Sequence, residues 1–403
     1  MTPNKIKILF IHHATGWGGA PNSMIKLINS LDRSKYDVEV LLLKNSMVAN
    51  KLAENGIKYS VAEAVFYKKF YQFFINSEAG YVKWYQVYRF LKLSVLWILS
   101  RYYFSKKELA KHDYDIAHLN SSVLADWLAP AKEKGKVIIH IREPYRKIKF
   151  DILHSFFTSQ MRKYADRIIA ISEDNSKRIG IQERTTVIYN YAAVPNSYPS
   201  QSSYTSKKVL YLGGADYIKG FYTLVDALDY LDKDVKVYFG GYFRVDDKPD
   251  TLKGRIKQIA KLVLFRKKIA ANEKIHTHPN AIVIGLTYKA NEYLDEVCCL
   301  VSPLSVPHFA RPVIEAHLQK KPVIGTDVEG MDEIIEHEKT GLIVPKNNPK
   351  ALAAAINELT ANSQKAKNFG EAGYNVAIKK FTPKNIDEFE RVYDTLLSEN
   401  ARF

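Results

Sequence analysis

The segment 301–345 constrains the fold of this chain more than any other stretch, because two short apolar runs each lead into a turn and a helix start. The first run, 298–301, ends in a Ser/Pro loop, and Pro312 then stands at a predicted helix start, where its fixed φ and missing N–H are tolerated. The second run, 322–325, leads into an acidic turn and another predicted helix start. Such strand-to-helix turns lie at the carboxyl ends of parallel strands, where open α/β sheets bind their ligands.

The same segment indicates what kind of ligand it binds. Backbone N–H groups at the two predicted helix starts can hold phosphate oxygens. Glu315, inside the predicted helix 313–319, can accept hydrogen bonds from the hydroxyl groups of a ribose or a sugar. The segment therefore predicts a site for a ligand that carries phosphate and hydroxyl groups.

The composition is typical of a soluble globular protein with more than one core. The chain has 403 residues, of which 46% are hydrophobic and 25% are charged, and this length favours two domains of roughly 200 residues each. No apolar run reaches the roughly 20 residues that span a bilayer, and no signal peptide is visible before the strand predicted at 6–11. The adjacent Cys298 and Cys299 would face opposite sides of a strand, so we expect no disulfide between them and a reducing compartment.

The net charge of +16 is the one unusual feature of the composition. A strong positive charge favours an anionic partner, and nucleic acid and membrane surfaces are the usual ones. No recognition helix, zinc-ligand spacing or RNA-binding aromatic motif occurs in the sequence, so we expect no nucleic-acid partner.

The first half of the chain is predicted to alternate strands with helices, beginning with a buried strand at 5–11 and an amphipathic helix at 22–31. Gly18 and Gly19 lie in the turn between these two elements, where glycine lets the backbone approach a ligand. A Gly-Gly-Ala sequence after a strand is equally compatible with a simple tight turn. Further strands are predicted at 38–43, 58–61, 115–119 and 136–141.

The segment 66–111 interrupts this alternation, because aromatic residues crowd it and many fall at helical spacing. Examples of that spacing are Tyr81, Trp84, Tyr85, Tyr88, Leu91, Val95 and Leu99. Basic residues are interleaved with them: Lys68, Lys69, Lys83, Arg89, Lys92, Arg101, Lys106 and Lys107. An anionic bilayer surface selects this combination on amphipathic helices. The alternative is that the rings form core or a dimer interface while the charges lie on a solvated face.

The second half begins again after a Ser-, Pro- and Tyr-rich linker at 195–208, with a strand at 208–212 and a turn that contains Gly213, Gly214, Lys219 and Gly220. A strand at 235–239, a charged stretch at 246–274, a strand at 281–285 and helices at 290–296 and 381–397 complete the predicted elements. Both halves are therefore predicted to be α/β.

The segment 301–345 resembles the donor-sugar half of retaining glycosyltransferases of the GT-B fold, in the large family numbered four (glycosyl transferases group 1). The signature of that family is Glu, seven residues and Glu, followed by Ala and then by a Pro-Val-Ile strand. Glu315, Ala316 and 322–324 match its second part, and 330–335 and 340–344 match the next two blocks in order and spacing. The first Glu of the signature falls on Pro307, so the expected contact to a sugar hydroxyl has no obvious carrier.

This resemblance implies a set of donor-binding residues. Glu315 should hold the nucleotide ribose, the adjacent His308 is a candidate substitute for the missing Glu, and the backbone near Phe309, Ala310 and Arg311 should hold sugar and phosphate. Gly18 and Gly19 match a Gly-Gly loop that faces the donor phosphate and the acceptor.

In the family, an Arg after the first Gly and a Lys before the last Gly of the second-domain turn neutralise the diphosphate leaving group. Lys219 matches the lysine, but Gly214 stands at the arginine position. A His at a strand end in the first domain contacts the donor sugar in family members. Both His140 and Arg142 are candidates for that position, and they face the same side of a strand because they are two residues apart. Alignment on the following acidic residue places the position on Arg142 and not on His140, and His118 is expected to be structural.

The fold implied by the resemblance is α/β, with two Rossmann-like domains facing a cleft and a helical aromatic and basic insertion in the N-terminal domain. The expected boundaries are 1–194 for the acceptor-side domain, with the insertion at 64–112, then 195–208 for the linker, 209–380 for the donor domain and 381–403 for a C-terminal helix that crosses back to the first domain.

The function implied is that of a retaining, metal-independent hexosyl or related transferase without a cofactor or a protein nucleophile. It would move a sugar from a nucleotide-diphosphate sugar to a glycan or lipid-linked glycan in bacterial-type surface polysaccharide or glycoconjugate assembly. The segment 66–111 would hold the protein, from the cytoplasm, on the anionic inner leaflet of the plasma membrane.

Three other functions compete with this interpretation. A dehydrogenase is disfavoured because no Gly-x-Gly-x-x-Gly follows the first strand. A GT-B nucleotide-sugar epimerase would leave the aromatic and basic segment unexplained. A non-catalytic glycan-binding or partner subunit fits the departures from the family pattern at Pro307 and Gly214.

Overall fold

The structure is a computed structural model that describes residues 5–16, 18–78, 80–83, 85–146, 151–195, 198, 200–243, 266–287 and 290–398. Of the features predicted from sequence, Trp17 of the glycine turn, Trp84 of the aromatic segment and 246–265 of the charged stretch lie outside these residues. The chain divides into two compact units, one formed by Met1–Tyr191 with Pro383–Phe403 and the other by Ala192–Thr382.

The first unit is built on a parallel sheet of seven strands in the order β3-β2-β1-β6-β7-β8-β9, beside a two-stranded hairpin, β4-β5. The strands are β1 (Ile6–His12), β2 (Tyr36–Leu42), β3 (Lys58–Val61), β4 (Asn76–Ser77), β5 (Gly80–Tyr81), β6 (Ile116–Leu119), β7 (Lys136–Ile141), β8 (Arg167–Ala170) and β9 (Thr185–Val187). The helices are α1 (Gly19–Ser30), α2 (Met47–Glu54), α3 (Val87–Leu99), α4 (Ser105–Leu109), α5 (Leu128–Lys132), α6 (Ile152–Tyr164) and α7 (Glu173–Ile179). The last helix of the chain, Ile386–Ser398, also belongs to this unit.

Both faces of this sheet are buried, as the unbroken apolar runs of its strands require. Leu9 and Ile11 of β1 pack into the core on one face, while Ile8 and Phe10 pack into the core on the other. The last helix covers the second face, where Tyr393 lies edge-on to Tyr36 of β2 with 5.7 Å between the ring centroids. The carboxyl ends of the strands are thus left as the edge at which polar side chains collect.

The aromatic segment has one buried side and one exposed side. Its inner rings, including Phe66, Tyr67, Tyr71, Phe74 and Trp97, are buried in the core of the first unit. Its outer side chains are exposed: Phe70, Tyr85, Val87, Tyr88, Phe90, Leu91, Val95, Ile98, Leu99, Tyr102 and Tyr103. The core interpretation therefore holds for the inner rings, and the outer row requires another explanation.

The second unit is built on a parallel sheet of six strands in the order β12-β11-β10-β13-β14-β15. They are β10 (Lys208–Tyr211), β11 (Lys236–Gly240), β12 (Ala281–Gly285), β13 (Cys299–Ser302), β14 (Val323–Thr326) and β15 (Gly341–Val344). The helices are α8 (Phe221–Ala227), α9 (within 266–277), α10 (Ala290–Glu296), α11 (Arg311–Leu318), α12 (Pro349–Ala361) and α13 (Ser363–Lys380), which makes the last helix α14 (Ile386–Ser398). Cys298 and Cys299 are buried and free.

Two details near the donor segment differ from the sequence prediction. Pro312 is the second residue of α11 and not the first, because the helix begins at Arg311. The second helix start, predicted after β14, is wrong, since residues 327–340 form turns. Gly330 has a φ of +83° and Glu338 a φ of +58°, and such left-handed residues interrupt a right-handed helix.

The helix α13 approaches the end of α11 so closely that it has no room for a side chain at Gly370. A Cβ at this position would overlap the carbonyl oxygen of Lys320, which itself has a φ of +56°. The buried glycine therefore fixes the distance between the two helices.

Replacing Gly370 by Ala tests this contact, because the expected change in stability has the opposite sign to the intrinsic preference of a helix for Ala. Ala is favoured over Gly by about 1 kcal/mol in an exposed helix, yet we expect Gly370→Ala to destabilise the protein by about 1–3 kcal/mol through overpacking. The measurement is urea unfolding, with Asn368→Ala on the exposed face of the same helix as the control that should change stability by less than about 0.5 kcal/mol. A Gly370→Ala protein as stable as wild type would contradict the close contact.

Candidate functional site

The loop after β10 brings Lys219 to the carboxyl ends of the central strands of the second sheet. Lys219 lines a small cavity of about 30 Å³ together with Leu212, Ser302, Ala310 and Pro312. These residues come from the end of β10, the end of β13 and the start of α11. The structure therefore joins two parts of the predicted donor site, the lysine turn and the first turn of α11.

The position of Lys219 is fixed by close backbone contact. Gly220 has a φ of +73°, and a Cβ there would overlap the carbonyl oxygen of Pro303. The N–H of Ser305 donates to the carbonyl oxygen of Ile218 at 3.1 Å. Only glycine fits between these two loops, so the residue before it is held against the end of β13.

Gly214 has no room for the arginine that the family carries at this position. Its φ is +61°, and a Cβ would lie 2.9 Å from the backbone nitrogen of Tyr242. Its N–H donates to the carbonyl oxygen of Gly240 at 3.1 Å, and its own carbonyl accepts from the hydroxyl of Tyr211 at 2.9 Å. The departure from the family pattern is therefore built into the packing of this turn.

Lys219 is a cation without a hydrogen-bond partner among the residues that the structure describes. Burial lowers the pKa of its ammonium group to about 8, and the negative charge of Asp216 opposes this shift. A desolvated ammonium with free donors binds an anion readily, because the anion restores the interactions that burial removed.

The first turn of α11 contains the remaining predicted donor residues. The guanidinium of Arg311 donates from NH2 to Oε1 of Glu315 at 2.7 Å, as residues four apart on one helix face allow. The Arg311 Nε is buried without a partner among the described residues. Ala310, at the N-cap, offers no side-chain oxygen to the N–H of Arg311, which is left available to a ligand. Pro312 has no N–H, and the N–H of Val313 donates to the carbonyl oxygen of Ala310 at 3.0 Å.

His308 and Phe309 are held just before this helix. Burial and the nearby charge of Lys219 lower the pKa of His308 to about 3, so its imidazole is neutral, and its Nδ1 has no partner among the described residues. The ring of Phe309 is buried edge-on against Phe381 at 6.1 Å. The backbone at 309–311 is thereby anchored by a side chain that points into the core.

In the first unit, Gly18 and Gly19 stand at the start of α1, which begins earlier than the helix predicted at 22–31. Gly18 is the N-cap with an extended backbone, and Gly19 is the first helical residue. A Cβ on either glycine would meet no atom within 4 Å among the described residues. The start of α1 is therefore open to a ligand at the carboxyl end of β1.

His140 is fully buried and hydrogen-bonded inward. Its Nδ1 lies 3.2 Å from Nε2 of His118, whose Nδ1 lies 2.9 Å from the hydroxyl of Tyr393. The ring of His140 also packs against Phe389 of α14 at 5.6 Å. Burial holds the pKa of both imidazoles well below the usual range, so they are neutral. The Nε2 of His140 has no partner among the residues described.

Arg142 lines the same small cavity as His140 and ties three loops together. Its Nε donates to Oδ1 of Asn120 at 2.7 Å, and NH1 donates to Oδ1 of Asn190 at 3.2 Å. Asn120 in turn lies 3.0 Å from Nδ1 of His12 at the end of β1. Burial lowers the pKa of Arg142 to about 10. This guanidinium organises the carboxyl edge of the first sheet.

Sequence reasoning missed a second polar cluster at this edge, centred on Glu143. Its carboxylate accepts hydrogen bonds from the hydroxyls of Ser121 and Ser122 and from the N–H of Ser122. The charge of Glu143 also raises the pKa of His13, although burial dominates and lowers it. The signal was that Ser121, Ser122 and Glu143 each follow the end of a predicted strand, which places them at the same edge of a parallel sheet.

Comparison with known proteins assigns a family to both units. Residues 17–191 match the model of Glycosyltransferase Family 4, and residues 198–376 match that of Glycosyl transferases group 1. The two matched regions together cover most of the chain.

The sequences of individual relatives have diverged far from this chain. An uncharacterised glycosyltransferase of Methanocaldococcus jannaschii is 26% identical over 62% of this chain and 65% of its own length. The capsular polysaccharide biosynthesis glycosyltransferase CapM of Staphylococcus aureus is 29% identical over 30% of this chain and 33% of its own length. The chain thus spans less than two thirds of the length of either relative.

The crystal structure of HepE from Anabaena in complex with UDP superposes with a TM-score of 0.70, at 18% identity, over 98% of this chain and 100% of the other. At this identity the likeness concerns the fold, in which each of two units is a parallel sheet with helices on its faces. The chain therefore belongs to the family 4, group 1 glycosyltransferases and has their GT-B fold.

Proposed function

We propose that this protein is a retaining glycosyltransferase that transfers a sugar from a nucleoside-diphosphate sugar to a glycan or lipid-linked glycan of a surface polysaccharide. The observation that carries the proposal is the half-buried Lys219, unpaired among the described residues, beside the start of α11, where the N–H of Arg311 is available to a ligand. The match to a capsular polysaccharide enzyme and the UDP bound by HepE support the acceptor class and the donor class.

In this mechanism, the ammonium of Lys219, the N–H of Arg311 and the positive end of the α11 dipole stabilise the diphosphate as negative charge develops on the leaving group. Burial lowers the pKa of Lys219 more than the negative charge of Asp216 raises it, and the diphosphate supplies further negative charge. The donor's own phosphate oxygen acts as the base for the incoming hydroxyl, as the family resemblance implies, so the reaction needs no protein nucleophile, metal or cofactor.

The loss of the family arginine at Gly214 leaves the diphosphate one cation short, and Arg311 is the group placed to supply it. Its guanidinium has a buried Nε without a partner among the described residues and lies at the start of α11. Its hydrogen bond to Glu315 holds the carboxylate on the same helix face, where Glu315 can accept a hydrogen bond from a hydroxyl of the ribose. The neutral imidazole of His308 takes the sugar hydroxyl that Pro307 cannot bind.

On the acceptor side, the open start of α1 at Gly18 and Gly19 provides N–H donors, and Arg142 holds the loops around it. His140 presents Nε2, its one ring nitrogen without a partner among the described residues, to the same small cavity as Arg142. We assign to this edge the binding of the acceptor hydroxyl and of the donor sugar.

A non-catalytic GT-B subunit remains the second candidate, favoured by one specific observation. The turn at Gly214 excludes the side chain that the family uses on the leaving group. A catalytic protein must show transfer from at least one donor in a panel of nucleotide sugars, whereas a binding subunit would bind without turnover.

We further propose that residues 66–111 dock the protein on an anionic membrane surface and bring it to a membrane-borne acceptor. Tyr88, Leu91, Val95, Leu99 and Tyr102 recur at helical spacing and form an exposed apolar row along α3 and the turn that follows. Lys68, Lys69, Lys92 and Lys107 are exposed and form no salt bridge with any residue described. Such a helix face lies in the headgroup region of a bilayer.

None of the helices in the described parts of the chain is long and apolar enough to cross a membrane.

The first test of the transferase proposal is Lys219→Met. Removing one preorganised cation should lower the transfer rate about 10²–10³-fold, because the leaving group loses its counter-charge. The matched control is Lys339→Met, an exposed lysine of the same unit that pairs with Glu336, which should retain full activity.

The pH dependence of the same variant separates charge from structure. Protonated Lys219 binds the diphosphate, so wild-type affinity for UDP should fall as pH rises through about 8, the pKa of the free group. Lys219→Met should lack this fall. Transfer by Lys219→Met within about a factor of two of wild type would rule out the assigned role.

The second test is Glu315→Gln, which keeps the shape of the side chain and removes its charge. If Glu315 accepts from the ribose, the substitution should weaken binding of a nucleoside diphosphate by roughly 1–3 kcal/mol, measured by calorimetry with UDP and GDP. Glu358→Gln in α12 is the control, since that carboxylate pairs with Lys365 on the surface. Unchanged affinity would leave Glu315 as a structural partner of Arg311 alone.

The membrane proposal is tested by vesicle flotation. Each basic residue near an anionic surface contributes about 1 kcal/mol, so wild-type protein should float with phosphatidylglycerol vesicles at low salt and dissociate as salt rises. The joint substitution of Lys68, Lys69, Lys106 and Lys107 by Glu should abolish binding. Reversing the same number of exposed lysines elsewhere (Lys339, Lys346, Lys350 and Lys379) should not. Folded protein that ignores anionic vesicles would refute the membrane interpretation.

A further inference from the structure

We infer that the groove between residues 63–70 and the helical segment from α3 to α4 binds one hydrocarbon chain of an anionic lipid, with the lipid phosphate at Lys107. This inference rests on the membrane docking proposed above and assigns a defined ligand site within that surface. The ligand class is a single amphiphile, an anionic head on a long apolar chain.

The groove has the size and lining of a ligand site. Its volume is about 730 Å³, within the range of roughly 300–1,000 Å³ that small-molecule pockets occupy. Its walls are mostly apolar and come from two segments that face each other: Val65, Phe66 and Phe70 on one side, and Leu96, Leu99 and Tyr103 on the other. Apolar walls of this extent, open to solvent, are costly unless something covers them.

The floor of the groove is rigid. The rings of Phe66 and Phe104 stack with 4.1 Å between centroids and 3° between their planes. Phe66 is also braced by Tyr67 and Tyr71, at 5.2 Å and 5.5 Å, whose hydroxyls are hydrogen-bonded in the core. The groove is therefore preformed, and a chain that enters it does not have to separate packed side chains.

Charge is distributed unevenly along the groove. Lys111, at its rim, is neutralised by Glu63 at 2.6 Å and by Glu108 at 3.0 Å. Lys107, one helical turn earlier, is exposed and forms no salt bridge with any described residue. A cation without a close ion-pair partner among the described residues, at the end of an apolar groove, matches a ligand with one anionic head and an apolar tail.

The dimensions suit a chain that comes from a bilayer. The helical segment advances by 11 residues from Leu96 to Lys107, a length of about 16 Å at 1.5 Å per residue. This length is close to the roughly 15 Å thickness of the hydrocarbon in one leaflet.

Leu99 belongs both to the exposed row of α3 and to the groove wall. The groove thus opens directly onto the face proposed to contact the membrane, and a lipid chain can enter without crossing water.

The test uses soluble probes and no vesicles. Farnesyl phosphate, below its micellar concentration, should bind one molecule per chain in calorimetry, while inorganic phosphate should not bind at this site. Leu99→Glu should weaken farnesyl phosphate binding about tenfold or more, because it places a charge in the apolar wall. Leu91→Glu should leave it unchanged within about twofold, since Leu91 is more exposed than Leu99 on α3 and does not line the groove.

A second pair of variants tests the head group. Lys107→Gln should weaken binding of farnesyl phosphate but not of farnesol, which has the chain without the phosphate. Lys106→Gln is the matched control, because Lys106 pairs with Glu133 and lies outside the groove.

The outcomes separate this inference from the membrane proposal. Flotation on anionic vesicles without farnesyl phosphate binding would overturn the groove assignment and leave the docking surface intact. Equal loss of probe binding in Leu91→Glu and Leu99→Glu would also overturn it. A dimer in sedimentation that both of these variants dissociate would show that a second copy of the chain covers this face.

Discussion

The close approach of Gly220 to the carbonyl oxygen of Pro303 fixes where Lys219 lies in the second unit, at the edge where we propose that the donor binds. Two loops that end neighbouring parallel strands, β10 and β13, touch through backbone atoms alone, and the left-handed φ of Gly220 makes this approach possible. Lys219, the preceding residue, is thereby carried to the start of α11. A cation and the positively polarised start of α11 meet at one sheet edge because the glycine leaves no side chain between them.

The electrostatics of this edge follow from the same packing. Burial lowers the pKa of Lys219 against the opposing charge of Asp216, and the charge of Lys219 adds to the effect of burial in keeping His308 neutral. The close packing of Gly214 against Tyr242 then excludes a second cation from the same loop. Among the described residues, Arg311 at the start of α11 is the further cation that we assign to a phosphate ligand. The loop after β10 therefore carries one cation, Lys219, and not two. The backbone packing imposes this, so a substitution of Gly214 by Arg could not restore the second cation.

The sequence was sufficient to predict the fold class, since unbroken apolar runs followed by turns are typical of parallel sheets, and the GT-B assignment is confirmed. The register of the glycine turn also pointed to Lys219, whose role stays a prediction. The helix predicted after β14 was wrong because Gly330 takes a left-handed conformation that apolar periodicity does not report. The cluster of Glu143 with two serines escaped notice because its members come from different strands, and only the tertiary fold shows which loop ends are neighbours.

Periodicity in the aromatic segment showed that its residues lie on helix faces, but it could not show which face is buried. The structure resolves this through hydrogen bonds as well as packing. The hydroxyl of Tyr71 donates to Asp126 at 2.6 Å, and that of Tyr67 lies 2.9 Å from the hydroxyl of Ser100. These hydrogen bonds hold the two inner rings in the core. Because that inner side is already packed, the outer row along α3 has no place left inside this unit. Its exposure is then a property of the folded unit, and a partner that is apolar and negatively charged, such as an anionic bilayer, fits both the row and the unpaired lysines beside it.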